Sequence, residues 1–145
     1  ESRGLGDVYK RQDAYKGTID ADDLVITADT VVILGNEVLG KPKDLDDARR
    51  MLHELSGKIH HVVTGVCLTS IDKQKHFSVV TDVAFKELTD EEIDYYVENY
   101  KPLDKAGAYG IQEWIGYIGV TSIHGSYFNV MGLPVQRIYN ELQEF

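Results

Sequence analysis

A chain of 145 residues, 43% of them hydrophobic, is long enough for one domain with a real core. It can bury around two thirds of its extended surface, so no disulfide staple is required. The formal charge of −9, from 15 basic and 24 acidic side chains, argues against a protein that coats duplex nucleic acid, because neutralising phosphates takes a dense basic surface. No apolar run approaches the roughly 20 residues that span a bilayer and no signal-peptide pattern is seen, so a membrane partner is not expected.

Residues 1–12 lack a methionine and any hydrophobic periodicity, and are read as foreign or mis-joined sequence, leaving 13–145 as a single domain. Residues 14–20 fit the tail of a helix, followed by an acidic turn through Asp23. The Val-, Ile- and Leu-rich stretch 24–34 predicts a core strand with Asp29 stranded inside it. An ionised carboxylate there costs several kcal/mol unless a cation, metal or hydrogen-bond donor compensates. A Gly35-Asn36 turn folds Glu37 to Leu39 back beside that strand and brings Lys41 toward Asp29 and Thr30. The bland alternative is a strand-end carboxylate paired with a surface lysine.

Asp44 is placed to cap a helix over 44–56 whose apolar face is Leu45, Ala48, Met51, Leu52 and Leu55, with Gly57 as its stop. Residues 59–71 and 76–86 are β-rich and predict a long antiparallel hairpin around Asp72-Lys73-Gln74. Thr89-x-x-Glu92 is a capping box, starting a helix that buries Ile93, Tyr96, Val97 and Tyr100 before Lys101-Pro102 ends it. A further strand is predicted over 115–123. Pro134 opens a last helix with Val135, Ile138, Tyr139 and Leu142 inward and Gln136, Arg137 and Glu141 outward. This alternation of strands and helices indicates an α/β domain without fixing strand order.

Several features invite chemistry that their context does not support. Asp20-Ala21-Asp22-Asp23 lacks the apolar strand that a dehalogenase-type aspartate pair requires and is read as an acidic turn. The five histidines match no common zinc spacing. Cys67 is the one cysteine, so it forms no internal disulfide. It lies among Val62, Val63, Val66 and Leu68, where a small buried hydrophobe fits better than a catalytic thiol, and a reducing, cytoplasmic setting follows. Tyr95, Tyr96 and Tyr100 sit at helical spacing and read as core or partner surface.

Two glycine-rich segments complete the pattern: Lys105-Ala106-Gly107-Ala108-Tyr109-Gly110-Ile111-Gln112 and Gly125-Ser126-Tyr127-Phe128-Asn129-Val130-Met131-Gly132-Leu133-Pro134. With Ile26-Thr27-Ala28-Asp29-Thr30-Val31-Val32 and Leu39-Gly40-Lys41-Pro42-Lys43, they resemble, in order and spacing, the Maf family of nucleoside triphosphate pyrophosphatases. The resemblance runs from about Ala14 to the C-terminus. The family's opening strand, its Ser-x-Ser-x-Arg-Arg phosphate-binding loop and a following glutamate have no counterpart in residues 1–12, so these 145 residues by themselves are expected to hydrolyse little.

The resemblance implies an α/β fold with a mixed central sheet and flanking helices, two-lobed with a deep cleft, similar to the inosine triphosphate pyrophosphatases. It implies hydrolysis of dTTP or UTP to the nucleoside monophosphate and pyrophosphate as a housecleaning activity. The alternative it offers is a non-catalytic nucleotide-binding or septum-inhibiting regulator. Asp29 aligns with the catalytic proton acceptor and with a ligand of a divalent cation, Mg²⁺ first and Mn²⁺ second. Thr30 and Gln112 align with positions of base choice, Lys41 and Lys105 with substrate-binding lysines, and a homodimer is the implied assembly. A glutamine amide both donates and accepts, matching the N3 donor and a carbonyl of uracil or thymine.

Overall fold

A computed structural model describes residues 22–145; the readings for residues 1–12 and 14–20 lie outside the described residues. Five strands form one sheet in the order β2-β1-β3-β4-β5, where β1 is Val25–Leu34, β2 Glu37–Leu39, β3 Ile59–Thr69, β4 Gln74–Phe85 and β5 Val120–His124. Every pair is antiparallel. Among the described residues the sheet therefore carries no parallel pair of the mixed sheet that the resemblance implies. For two of the four pairs, β1–β2 and β3–β4, the connecting turns are too short for a parallel crossover.

The predicted hairpins form where the turn chemistry places them. Gly35 takes φ of +60° between β1 and β2. β3 and β4 pair from Ile59 opposite Ala84 to Thr69 opposite Gln74. β3 lies at the centre of the sheet, and alternation along it feeds both faces. Val62, Val66 and Leu68 join the main apolar clusters on one face, while Val63 meets Val31 and Ile33 on the other.

Helix α1 (Leu45–Leu55) starts at Asp44, whose carboxylate accepts from the Asp47 N–H at 2.7 Å, and buries Ala48, Met51, Leu52 and Leu55 as predicted. Helix α2 (Asp90–Tyr100) opens with the full capping box: the Thr89 hydroxyl accepts from Glu92 N–H at 3.1 Å, and the Glu92 carboxylate accepts from Thr89 N–H at 2.9 Å. Ile93, Tyr96 and Val97 are buried, but Tyr100 is exposed and stacks on Tyr96 with centroids 5.0 Å apart.

Two predicted elements are corrected. Residues 115–123 are not one strand: helix α3 (Trp114–Gly119) precedes β5. A short apolar run has no period of its own, and tertiary contact decides it. Here Ile115 and Gly119, four apart, both point into the core, and Gly116 packs where a Cβ would stand 2.0 Å from the Ile111 carbonyl oxygen. After the short α4 (Tyr127–Val130), helix α5 (Val135–Glu144) is rotated from the predicted face. Val135 and Tyr139 are exposed, whereas Ile138 and Glu141 are buried against the sheet. Glu141 tolerates this because Lys75 and Arg137 both pair with it, holding its carboxyl below the usual range. Among the described residues no helix is long and apolar enough to cross a membrane.

Candidate active site

Strand β2 pairs only with Val32, Ile33 and Leu34 of β1, and a cavity of about 790 Å³ lies along β1 from Ala28 to Val32. Its other walls are Gly40 and Lys41, the segment 104–106 with 109–113, and Val130 to Gly132. All five residues singled out from the sequence, Asp29, Thr30, Lys41, Lys105 and Gln112, line this one space. They come from segments as much as 83 residues apart in sequence, from Asp29 to Gln112.

Asp29 is half-buried, not sunk in the oily core that the sequence suggested; burial along β1 is complete only from Val31 to Ile33. Asp29 lies in the first half of the strand, which flanks the cavity. One of its oxygens accepts from the Thr30 N–H at 3.1 Å. Thr30, next along the strand, points to the opposite sheet face. Its hydroxyl lies 2.8 Å from that of Thr64, which in turn donates to the Asn129 carbonyl at 3.4 Å. The Thr30 and Thr64 hydroxyls share one hydrogen bond, and Thr64 links that pair to the backbone of Asn129.

Lys41 and Gln112 are exposed at the cavity rim. The loop carrying Lys41 is tied to the one carrying Lys105 by a single backbone bond, Gly107 N–H to the Gly40 carbonyl at 3.1 Å. Gly107 has φ of +70°, and a Cβ there would stand 2.8 Å from Val32 Cγ2, so only glycine lets this turn press onto β1. Lys105 Nζ donates to Asp104 at 3.2 Å. The Lys105 ammonium is the main reason that the Asp104 carboxyl lies below its ordinary range, with its own backbone N–H next and Lys41 contributing more weakly.

Three cavity residues escaped the sequence reading. Asp104 and Glu113 flank the glycine-rich segment immediately outside Lys105 and Gln112, and that adjacency was their available signal. Tyr109 lines the wall and is backed by His60, whose Nε2 is 2.6 Å from the Tyr109 hydroxyl. His60 and Tyr109 pack edge-on with Phe85 in one aromatic cluster. Nothing in the sequence links position 60 with position 109; only the register of β3 does.

Burial is the chief cause that pushes the His60 pKa down to about 4, from an ordinary value of 6.5. The sign follows from proton uptake: between those two values the unfolded chain binds a proton that the folded chain refuses. Stability is therefore expected to be full above about pH 6.5 and to fall as the pH drops toward 4. Thermal melts of wild type and a His60→Gln variant check this: the variant's melting temperature should change less steeply over that window, and parallel pH slopes would refute the assignment.

The remaining histidines show no shared centre. His61 pairs with Asp82 at 2.5 Å and His76 lies 3.1 Å from the buried sulfur of Cys67. Among the described residues, no group of three histidine, cysteine or acidic side chains could hold a metal ion.

Comparison with known proteins adds to this geometry. The family described as Maf-like protein matches residues 7–145. A protein of Phocaeicola vulgatus named dTTP/UTP pyrophosphatase is 65% identical over 131 residues, covering 90% of this chain and 68% of the relative. Proteins of the same name from Bacteroides thetaiotaomicron and Porphyromonas gingivalis are 56% and 55% identical over 135 and 137 residues. Each covers 93% of this chain, which spans 70% and 69% of the two relatives.

Proposed function

The chain belongs to the Maf-like protein family, and we propose on that footing that it is a nucleoside triphosphate pyrophosphatase acting on dTTP and UTP. In the reaction a water oxygen bonds to the α-phosphorus, the bond to the bridging oxygen breaks, and nucleoside monophosphate and pyrophosphate leave. The observation that carries this reading is the convergence of Asp29, Thr30, Lys41, Lys105 and Gln112 on one cavity.

Each residue then has a task that its chemistry suits. Asp29 accepts the proton of the attacking water, since it borders the cavity with a half-buried carboxylate that one backbone hydrogen bond holds in place. Lys41 and Lys105 set cationic charge beside the triphosphate, which lets a chain of net charge −9 hold a polyanion. The acidic balance of the whole suits a small anionic substrate at a local cationic site, not a nucleic acid. Gln112 and Thr30 face the base.

The donor set also fits a divalent cation. Asp29 offers a hard carboxylate oxygen, and Mg²⁺ commonly takes one or two carboxylates with substrate phosphates and water, so a large protein cage is not required. Mg²⁺, or Mn²⁺ in its place, would be held by Asp29 and would supply charge neutralisation at the phosphates. A deep cleft between two lobes, a single domain from residue 13 onward, a homodimeric assembly and a cytoplasmic setting complete the reading.

Pyrophosphate release by the complete protein tests it against a panel of UTP, dTTP, CTP and 7-methyl-GTP. Turnover of UTP and dTTP well above the other two is expected. Equal turnover of UTP and 7-methyl-GTP would defeat the specificity, and nucleotide binding without pyrophosphate release would favour the non-catalytic alternative.

A further inference from the structure

We propose that Tyr96 and Glu113 form a brace that sets base discrimination by fixing the backbone on both sides of Gln112. The inference rests on the pyrophosphatase reading and concerns how that same cavity chooses its nucleobase. Tyr96 belongs to α2, an element with no cavity-lining residue, and its ring is fully buried and stacked on Tyr100. Only its hydroxyl reaches the segment that carries Gln112. That oxygen accepts from the Gly110 N–H at 3.1 Å and donates to the Glu113 carboxylate at 2.5 Å.

One atom therefore grips both ends of a four-residue turn. Within the turn, Glu113 N–H donates to the Gly110 carbonyl at 3.0 Å, closing it a second time. Ile111 points into the core and Gln112 is displayed outward. Burial first, and the Glu113 carboxylate second, push the Tyr96 phenol's pKa up, so the proton stays on the tyrosine and the hydroxyl donates to Glu113. The brace touches Lys105 as well. A Cβ on Gly110 would stand 2.8 Å from Lys105 Cε and 2.9 Å from Glu113 Oε1, so lysine stem and carboxylate flank the same bare backbone.

The link to discrimination is a matter of symmetry. Uracil presents a carbonyl beside an N–H, and cytosine presents an amino group beside a ring-nitrogen acceptor. A glutamine amide turned end for end matches one as well as the other. Selectivity thus depends on holding one amide orientation, and a turn released at either end lets the side chain present both. Loss of the brace should cost selection more than chemistry, because Asp29 lies on a different element.

The test compares wild type, Tyr96→Phe, Glu113→Ala and the double variant of the complete protein by pyrophosphate release from UTP and CTP. Phenylalanine keeps the buried ring and its stacking while deleting the hydroxyl. The UTP-to-CTP ratio of kcat/KM is expected to fall about 10-fold in each single variant, the scale of one lost hydrogen bond to a charged group. The loss should appear mainly in KM for UTP, with kcat falling less. Because the two residues act as one unit, the double variant should be no worse than either single one. A merely structural role would lower melting temperature and active fraction while leaving the ratio unchanged, and that result, or full additivity, overturns the inference alone. A wild type that hydrolyses none of the nucleotides overturns the pyrophosphatase reading and this inference with it.

Discussion

Replacing Asp29 by asparagine is expected to lower kcat for UTP hydrolysis by about 10²- to 10⁴-fold, the usual contribution of a positioned general base. The substitution keeps the side chain's shape and leaves an oxygen to accept from Thr30 N–H, which now lies 3.1 Å from the carboxylate. It removes the negative charge and the proton acceptor together. Melting temperature should change little, since the side chain is half-buried at a cavity wall and no core packing is lost. Single-turnover pyrophosphate release with the complete protein, alongside a thermal melt, separates the two effects. A variant that keeps its hydrolytic rate would remove Asp29 from the chemistry.

Asn129→Ala is expected to produce the largest loss of stability from a residue near the cavity. Asn129 is fully buried on the short α4, and its amide lies 3.1 Å from the Val62 carbonyl, 3.0 Å from the Val79 carbonyl and 3.1 Å from the Thr81 hydroxyl. It thereby fastens α4 across the two central strands, while the Ser126 hydroxyl caps its N–H at 3.1 Å. Deleting the amide strips donors from buried acceptors, each costing about 1–3 kcal/mol, and leaves a void. A total near 3 kcal/mol corresponds to a fall of about 10 °C in a domain of this size. Asn129→Asp should be worse despite its matching shape, because a carboxylate cannot donate to those carbonyls and would carry a buried charge. Calorimetry of both variants checks the order, and an aspartate variant as stable as wild type would disprove the clamp.

The clamp also bears on the cavity. The Asn129 carbonyl accepts from Thr64, whose hydroxyl meets that of Thr30. Loosening α4 should therefore disturb Thr30, and with it the wall made by Val130, Met131 and Gly132.

Local chemistry made much of this architecture legible in the chain itself. Asp44 and Thr89 are caps because their short polar side chains reach the first free amides of a helix, and both helices start there. The β3–β4 hairpin follows from two β-rich runs around a polar turn. The five candidate site residues could be named from motifs alone, since each motif is a contiguous string that carries its own turn glycines.

Other features depended on contacts that no local pattern encodes. Residues 114–119 became helix packed against the Ile111 carbonyl, and Glu141 turned inward because Lys75, distant in sequence, meets it beside its helical neighbour Arg137. The same holds for His60 beneath Tyr109, and for Tyr96 reaching across to Glu113. Sequence by itself determined most of the strands, helices and turns, and which side chains could carry charge to a phosphate, because those properties reside in a residue and its near neighbours. Tertiary structure alone decided that Asp29, Lys41, Lys105 and Gln112 share one cavity and what supports them from behind, because burial, register and hydrogen-bond partnership are set by atoms distant along the chain.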